Sequence, residues 1–391
     1  MPSVSPALPA SASAVSSRPV SSRPAASRIG PLDTFRCLTV TLALLSHAIL
    51  EFKVSAVTDP GVWLALRSVT RSATPGLLLL FGVMAEVVHY ARYRRQTPAQ
   101  LRRPYGRLSK RMAQCYATFV GLSALVTAMR PEPAAYFLRS LGLLTLEGYT
   151  VIFALYFFLL LALVAVLPLR HRWGFGGLGA LLAAVWALDA LVVSRLPRPV
   201  DALAGIADMT LGTAAVWGPS AFHSLTLLVA GMALGNVLYA RTPDGRPARE
   251  RSAVRLVAAL GVAAVALVAE QMHAVGVKGF FEHVVDLSTY RAHNAPVYYA
   301  YGVLAAAVAI PVSYALDALA PAGLRGVLHR LGGKTFSYFV LGNALLIVTP
   351  DTPVRSGWEA VGLVAAFLAA SIALTLGWAA FTERRRAGHG G

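Results

Sequence analysis

The feature that most constrains this chain is a recurrence of apolar runs, most of them roughly 18 to 24 residues long, separated by short basic connections. As helices rising 1.5 Å per residue, such runs cover the roughly 30 Å of a bilayer's hydrocarbon, where every backbone polar group must be satisfied internally. The runs fall at 32–50, 72–91, 112–128, 149–169, 174–193, 221–239, 253–273, 296–319, 335–349 and 358–381. The ninth is the shortest, and 134–145 reads as a helix lying in the interface. Only 14% of the 391 residues are charged and 56% are hydrophobic, with mean hydropathy +0.60. Soluble domains carry about 25% charge. The expectation is an all-α, polytopic integral membrane protein of about ten transmembrane helices with both termini cytoplasmic.

Three regions follow from this pattern. Residues 1–30, rich in Ser, Pro and Ala and free of acids, read as a disordered cytoplasmic tail. They lack the continuous apolar stretch of a secretory signal, and their prolines oppose the amphipathic helix of an organellar transit peptide. Residues 31–381 form one membrane domain, and 382–391 a basic cytoplasmic tail. No internal repeat is visible, so the inverted symmetry common in transporters is unsupported. The two cysteines, Cys37 and Cys115, both fall in expected spans, which argues against a disulfide.

A net charge of +17 and a pI near 10.4 would suit a nucleic-acid protein if the basic residues formed one patch. They are sorted by side instead. With ten spans and an inside N-terminus, 24 of the 35 Lys and Arg fall on the cytoplasmic face and ten on the other, Arg36 lying within the first span. That asymmetry sets the orientation, because basic loops resist translocation. The partners expected are membrane lipids rather than nucleic acid.

An ionisable side chain at the bilayer centre costs about 2.5 to 3.5 kcal/mol on insertion scales, so each one inside a span needs a reason. The candidates are Asp33, Arg36, His47, Glu86, His89, Asp189, His223, Glu270 and Asp317. Arg36 and His47 are eleven residues apart, which returns to within about 20° of the same helix face and separates them by about 16 Å. A guanidinium near the cytoplasmic surface grips phosphate or carboxylate, and an imidazole deeper in acts as a base. Taken singly, Arg36 reads as a snorkelling anchor and His47 as a hydrogen-bonded packing residue. Glu86 is expected at the depth of Arg36, pairing either with it or with Arg92 in the headgroups. The basic run from Arg92 to Arg111 suits a nucleotide-like donor's phosphates or the anionic inner leaflet. Gly231 and Gly235 form a G-x-x-x-G, read as helix packing. No metal spacing or phosphate-binding Gly loop is present.

Leu32-Asp33-Thr34-Phe35-Arg36, then ten residues and His47, resembles the opening of the acyltransferase-3 superfamily of membrane acyltransferases. Lys110-Arg111-Met112-Ala113-Gln114-Cys115-Tyr116 is similar to that family's basic pair followed by Gln and Tyr. Pro219-Ser220-Ala221-Phe222-His223 and Leu331-Gly332-Gly333-Lys334-Thr335-Phe336-Ser337-Tyr338-Phe339 resemble the OpgC-like branch, the succinyltransferases of osmoregulated periplasmic glucans. Asn343, where the wider superfamily often has His, fits the same branch. Phe222-His223 departs from that branch's Trp-Gln, and Val151-Ile152-Phe153-Ala154-Leu155-Tyr156 keeps only the end of its Asp-x-Leu-Pro-Leu-Tyr segment.

The resemblance implies a multi-pass protein of the bacterial inner membrane. It would move an acyl group, such as succinyl, from cytoplasmic acyl-CoA to a hydroxyl of a periplasmic glucan or other envelope glycan. Acyl-CoA would be a co-substrate, with no bound cofactor or metal. His47 would act as general base or carry the acyl group, and Arg36 with Lys110 and Arg111 would bind the CoA phosphates. Asp33 and Glu86 would support that donor side, while Arg291 and His293 would meet the glycan acceptor. The competing expectations are a proton-coupled transporter or flippase of a glycan or lipid precursor, and a non-catalytic membrane partner.

Overall fold

The protein is described here by a computed structural model covering residues 29–96, 102–130, 132–145, 148–197, 203–213, 218–240, 248–349 and 352–388. Nearly all of the expected N-terminal tail lies outside the described residues. The helices, in chain order, are α1 (Gly30–Glu51), α2 (Pro60–Arg71), α3 (Ala73–Met84), α4 (Ala91–Tyr93), α5 (Arg102–Met129), α6 (Ala134–Leu141) and α7 (Val151–Leu191). They continue with α8 (Ala204–Thr210), α9 (Ala221–Tyr239), α10 (Arg251–Val285), α11 (Pro296–Leu319), α12 (Ala322–Gly333), α13 (Thr335–Val348) and α14 (Gly357–Gly388). No strand occurs among the described residues. Among the described residues, eight helices are long and apolar enough to cross a membrane, or up to nine if α12 and α13, bent by 86°, count as one broken span. The chain is an all-helical polytopic membrane protein.

The difference from ten expected segments has a physical source. The fourth and fifth apolar runs are joined in α7, whose 41 residues would reach about 60 Å if straight, twice the hydrocarbon thickness. Gly174 breaks the helix, with φ 62° and ψ −154°. Arg170, just before the break, bonds Glu86 beside the C-terminal end of α9, whereas Asp189, near the end of α7, meets His223 in the first turn of α9. The second half of α7 therefore runs back antiparallel to the first, in keeping with Tyr149, just before α7, and Gly218, just before α9, lining one cavity. Only glycine takes that φ without strain. A similar break at Gly276 bends α10.

The central contact is α3 against α9. A Cβ at Gly231 would lie 2.0 Å from the Leu79 carbonyl oxygen, and one at Gly82 would lie 2.1 Å from that of Leu228. Backbones meet here with no side chain between them, the packing expected of a small-residue motif in a membrane. The first helix sits in this core: Leu44, Ala48 and Ile49 are almost fully buried. Pro31 near its N-terminus and Asp33 in its first turn suit a helix start.

Several elements were not expected. The loop before the second apolar run is helix α2, capped by Asp59, whose carboxylate accepts from the backbone N–H of Gly61 and Val62. The interfacial helix is shorter than expected, ending at Leu141. The connection between the eighth and ninth apolar runs is helix α12, and α14 continues into the expected basic tail as far as Gly388. Residues Ala85–Tyr90 form a π-helical turn that carries Glu86.

Glu86 pairs with neither Arg36 nor Arg92. Its carboxylate accepts from Arg170, at 2.9 and 3.3 Å, and from Asn236 Nδ2 at 3.1 Å. Arg170, in the connection between the fourth and fifth apolar runs, is 2% exposed and also meets Glu250. Its guanidinium lies 3.8 Å from the Phe175 ring and 4.4 Å from that of Tyr90. Two acids from distant segments outbid a single one from the first span, because burying a guanidinium requires paired charge and saturated donors.

Candidate functional site

The first helix presents its two singled-out residues to two adjoining cavities. Arg36 lines one of about 170 Å³, and His47 lines another of about 240 Å³. Leu77, Ile152 and Phe339 border both, so a thin apolar wall from α3, α7 and α13 is what separates them.

At the Arg36 end, the guanidinium donates to Asp33 Oδ1 and to Thr335 Oγ1, each at 3.1 Å. Thr335 opens α13 just past the 86° bend. The bend docks on the start of α1: a Cβ at Gly332 would lie 2.0 Å from the Asp33 carbonyl oxygen. Asp317 accepts from Thr34 at 3.2 Å and pairs with His329. Phe81, Tyr156 and Phe336 complete an aromatic lining around a single cation. Such a pocket suits an amphipathic chain with an anionic end.

At the His47 end, the ring is held by Asn343, with Nδ1 2.7 Å from Oδ1. The amide's orientation follows from its other end, since Asn343 Nδ2 donates to the Phe339 carbonyl at 2.8 Å. Oδ1 therefore faces the imidazole as an acceptor, Nδ1 carries the hydrogen, and Nε2 keeps its lone pair. Tyr149 packs edge-on against the ring at 5.2 Å between centroids, and Phe339 lies at 6.0 Å. An imidazole fixed in one tautomer, with its free nitrogen on a cavity-lining residue, is suited to proton transfer.

The same cavity is rich in guanidinium groups. Arg71, Arg130 and Arg291 line it. Arg130 bonds Glu51 at 2.6 Å, and Glu51 also accepts from the Tyr149 hydroxyl. Arg71 Nε donates to the Val285 carbonyl and Arg291 Nε to that of Gly218. Outside the cavity lining, Arg67 is 1% exposed and donates to Ser46 Oγ and its carbonyl, next in sequence to His47.

Of the other residues singled out in the sequence, Arg291 reaches the cavity and His293 does not, being exposed two residues further on. Lys110 and Arg111 are exposed on α5 and line neither cavity. Arg111 bonds Gln114 at 2.8 Å and lies near enough to Arg36 for their charges to interact. Glu86 belongs to the Arg170 network and Glu270 is exposed on α10, both away from the cavities. His223 links Asp189 at 3.0 Å to Ser220 at 2.8 Å, in the order of a hydrolytic triad. Ser220 is fully buried and its oxygen caps α9, so no substrate reaches it. The chain of contacts instead fixes the Gly218–Ser220 turn on which Arg291 rests.

Sequence reasoning missed Arg71, Arg130 and Tyr149. The signal is present for the first: Arg67 and Arg71 stand one helical turn apart immediately before an apolar run. Compared with known proteins, no family model matches the chain, and no curated protein matches it.

Proposed function

We propose that this chain is a membrane-bound O-acyltransferase that moves an acyl group, such as succinyl, from cytoplasmic acyl-CoA to a hydroxyl of a periplasmic glucan or other envelope glycan. The observation that carries the reading is the oriented imidazole of His47 in one cavity, set against the single cation of Arg36 in the next along the same helix. Asn343 and Thr335, from a stretch that resembles the OpgC-like branch, are the residues that hold those two groups.

In this reading the protein crosses the bacterial inner membrane ten times with its N-terminus inside. Ten is reached by counting α7 as two crossings at the Gly174 fold-back and the bent pair α12 and α13 as one, beside the other seven candidate spans. Arg36 then opens to the cytoplasm and His47 to the far side. Acyl-CoA enters beside Arg36, which meets an anionic part of the donor, and its thioester passes between Leu77, Ile152 and Phe339 toward His47. His47 Nε2 takes the proton of a sugar hydroxyl while that oxygen attacks the thioester carbonyl. Collapse of the tetrahedral intermediate breaks the carbon–sulfur bond, and the imidazolium proton goes to the departing thiolate.

Two abutting cavities with an apolar partition also suit a transporter or flippase with a central gate. His47→Ala separates the two readings. For the enzyme, mass spectrometry of envelope glycans shows loss of the acyl ester while the amount of exported glycan is unchanged. Loss of export with esters intact on the remainder overturns the acyltransferase reading.

A further inference from the structure

The charges around the His47 cavity do not balance. Four guanidinium groups gather there, those of Arg67, Arg71, Arg130 and Arg291, and Arg67 and Arg71 each lie within electrostatic range of Arg291. Glu51 answers Arg130. Among the described residues, neither Arg71 nor Arg291 forms an ion pair, and each has only its Nε committed, to a backbone carbonyl. Asp286 acts on Arg71 only electrostatically, and its carboxylate accepts from the backbone and hydroxyl of Ser288. Two further donors are orphaned in the same neighbourhood. Arg67 Nη2 is buried with no partner, and so is the hydroxyl of Tyr298, which is 4% exposed and interacts electrostatically with both Arg71 and Arg291. Concentrated, incompletely neutralised cations at the edge of a low-dielectric interior are expensive unless an anion completes them.

We infer that the His47 cavity is an anion-binding site in which Arg71 and Arg291 together hold a carboxylate or phosphate carried by one of the two substrates. Both guanidiniums have their Nη edges uncommitted, the geometry that receives such groups in paired hydrogen bonds. With Nε tied to Val285 and Gly218, each plane is preset, so little side-chain freedom is lost on binding. The inference rests on the acyltransferase reading only for what the anion belongs to. One source is the far end of a dicarboxylic acyl chain, and the other is an acidic substituent on the glycan. Either way the anion stands beside His47 and registers the reacting carbonyl or hydroxyl against Nε2.

The test begins with binding, so that it stands apart from catalysis. The full chain, purified in detergent, is titrated with succinate, glycerol 1-phosphate and neutral glycerol at constant ionic strength, and its thermal midpoint is followed. Saturable stabilisation by one or both anions and not by glycerol is expected. Arg71→Gln and Arg291→Gln should each weaken it about tenfold or more, the scale of a lost charge-assisted contact, and Arg71→Lys should keep part of it. No saturable response to either anion, or equal responses in the wild type and in a folded Arg71→Gln/Arg291→Gln protein, overturns the inference. Turnover then distinguishes the sources. If the acyl chain carries the anion, the double substitution lowers kcat/KM for succinyl-CoA about tenfold or more beyond its effect on acetyl-CoA; if the glycan carries it, both fall together and by more with an acidic acceptor than with a neutral one. A chain that binds the anions but transfers no acyl group refutes the acyltransferase reading and leaves the site standing.

Discussion

Asn343 holds His47 from eight residues beyond the point where Thr335 holds Arg36, so α13 runs beside α1 and meets both of its functional side chains. One helix carries the reacting groups and its neighbour sets their orientation. That division explains why the bend before α13 is packed so closely on Asp33: a shift there would misplace both contacts.

The tautomer argument gives a first expectation. Asn343→Leu removes the acceptor for Nδ1–H while keeping a similar volume, so the ring is free to take the tautomer in which Nε2 is protonated. Acyl transfer should fall roughly a hundredfold in kcat, at the low end of what a positioned base supplies, with KM for acyl-CoA little changed. An unchanged kcat in steady-state assays of the purified variant would show that the Asn343 contact serves packing alone.

Arg36 is expected to act in binding. Arg36→Gln keeps hydrogen bonding to Thr335 and loses the charge, so KM for acyl-CoA should rise about tenfold with kcat held. Thr335→Val, which takes away one of the two anchors of the guanidinium, should give a smaller change in the same direction. If kcat falls and KM does not, Arg36 belongs to the chemical step.

The pairing of Arg36 with His47 was legible because both lie on one helix, where 100° per residue fixes which side chains share a face. The meeting of His47 with Asn343, and of Glu86 with Arg170, depends on segments far apart in the chain, and no periodicity encodes them. Family likeness pointed to Asn343 as a branch marker, whereas nothing pointed to Arg170, which a hydropathy reading puts in a solvated turn. The all-helical, polytopic part of the expectation was legible because lipid limits what backbone can do. The boundary between the fourth and fifth runs was legible, since the helix turns back at Gly174 where the expected fifth run begins, whereas the bend between α12 and α13 was not, because two short helices share one apolar stretch across it.

The Arg170 network yields a stability prediction. Arg170→Met leaves Glu86 and Glu250 facing one another without a cation and should cost about 3 to 5 kcal/mol, the scale of an uncompensated buried charge. Combining it with Glu86→Gln should recover much of that loss, since the remaining amide still meets Asn236. Thermal unfolding in detergent reads both. Arg36→Met in place of Arg170→Met should leave the double-mutant coupling with Glu86 near zero.

The contact between α3 and α9 gives the most local test. Gly231 admits no Cβ: the nearest obstacle, at 2.0 Å, is the backbone oxygen of Leu79, which cannot rotate aside as a side chain would. Gly231→Ala must therefore push α9 away from α3, and with it the Gly218–Ser220 turn at the head of α9 that receives Arg291. Gly121, on α5, meets nothing within 4 Å of an added Cβ, and Ala there suits a helix better than Gly. Gly231→Ala should lower the thermal midpoint by several degrees, the scale of a close-packed site forced apart, while Gly121→Ala should match or exceed the wild type. Because the displaced turn carries an arginine of the His47 cavity, Gly231→Ala should also weaken binding of succinate or glycerol 1-phosphate, in whichever form the wild type takes. A variant that unfolds earlier but binds the anion as tightly as before would show that the turn is held from the α10 and α11 side instead.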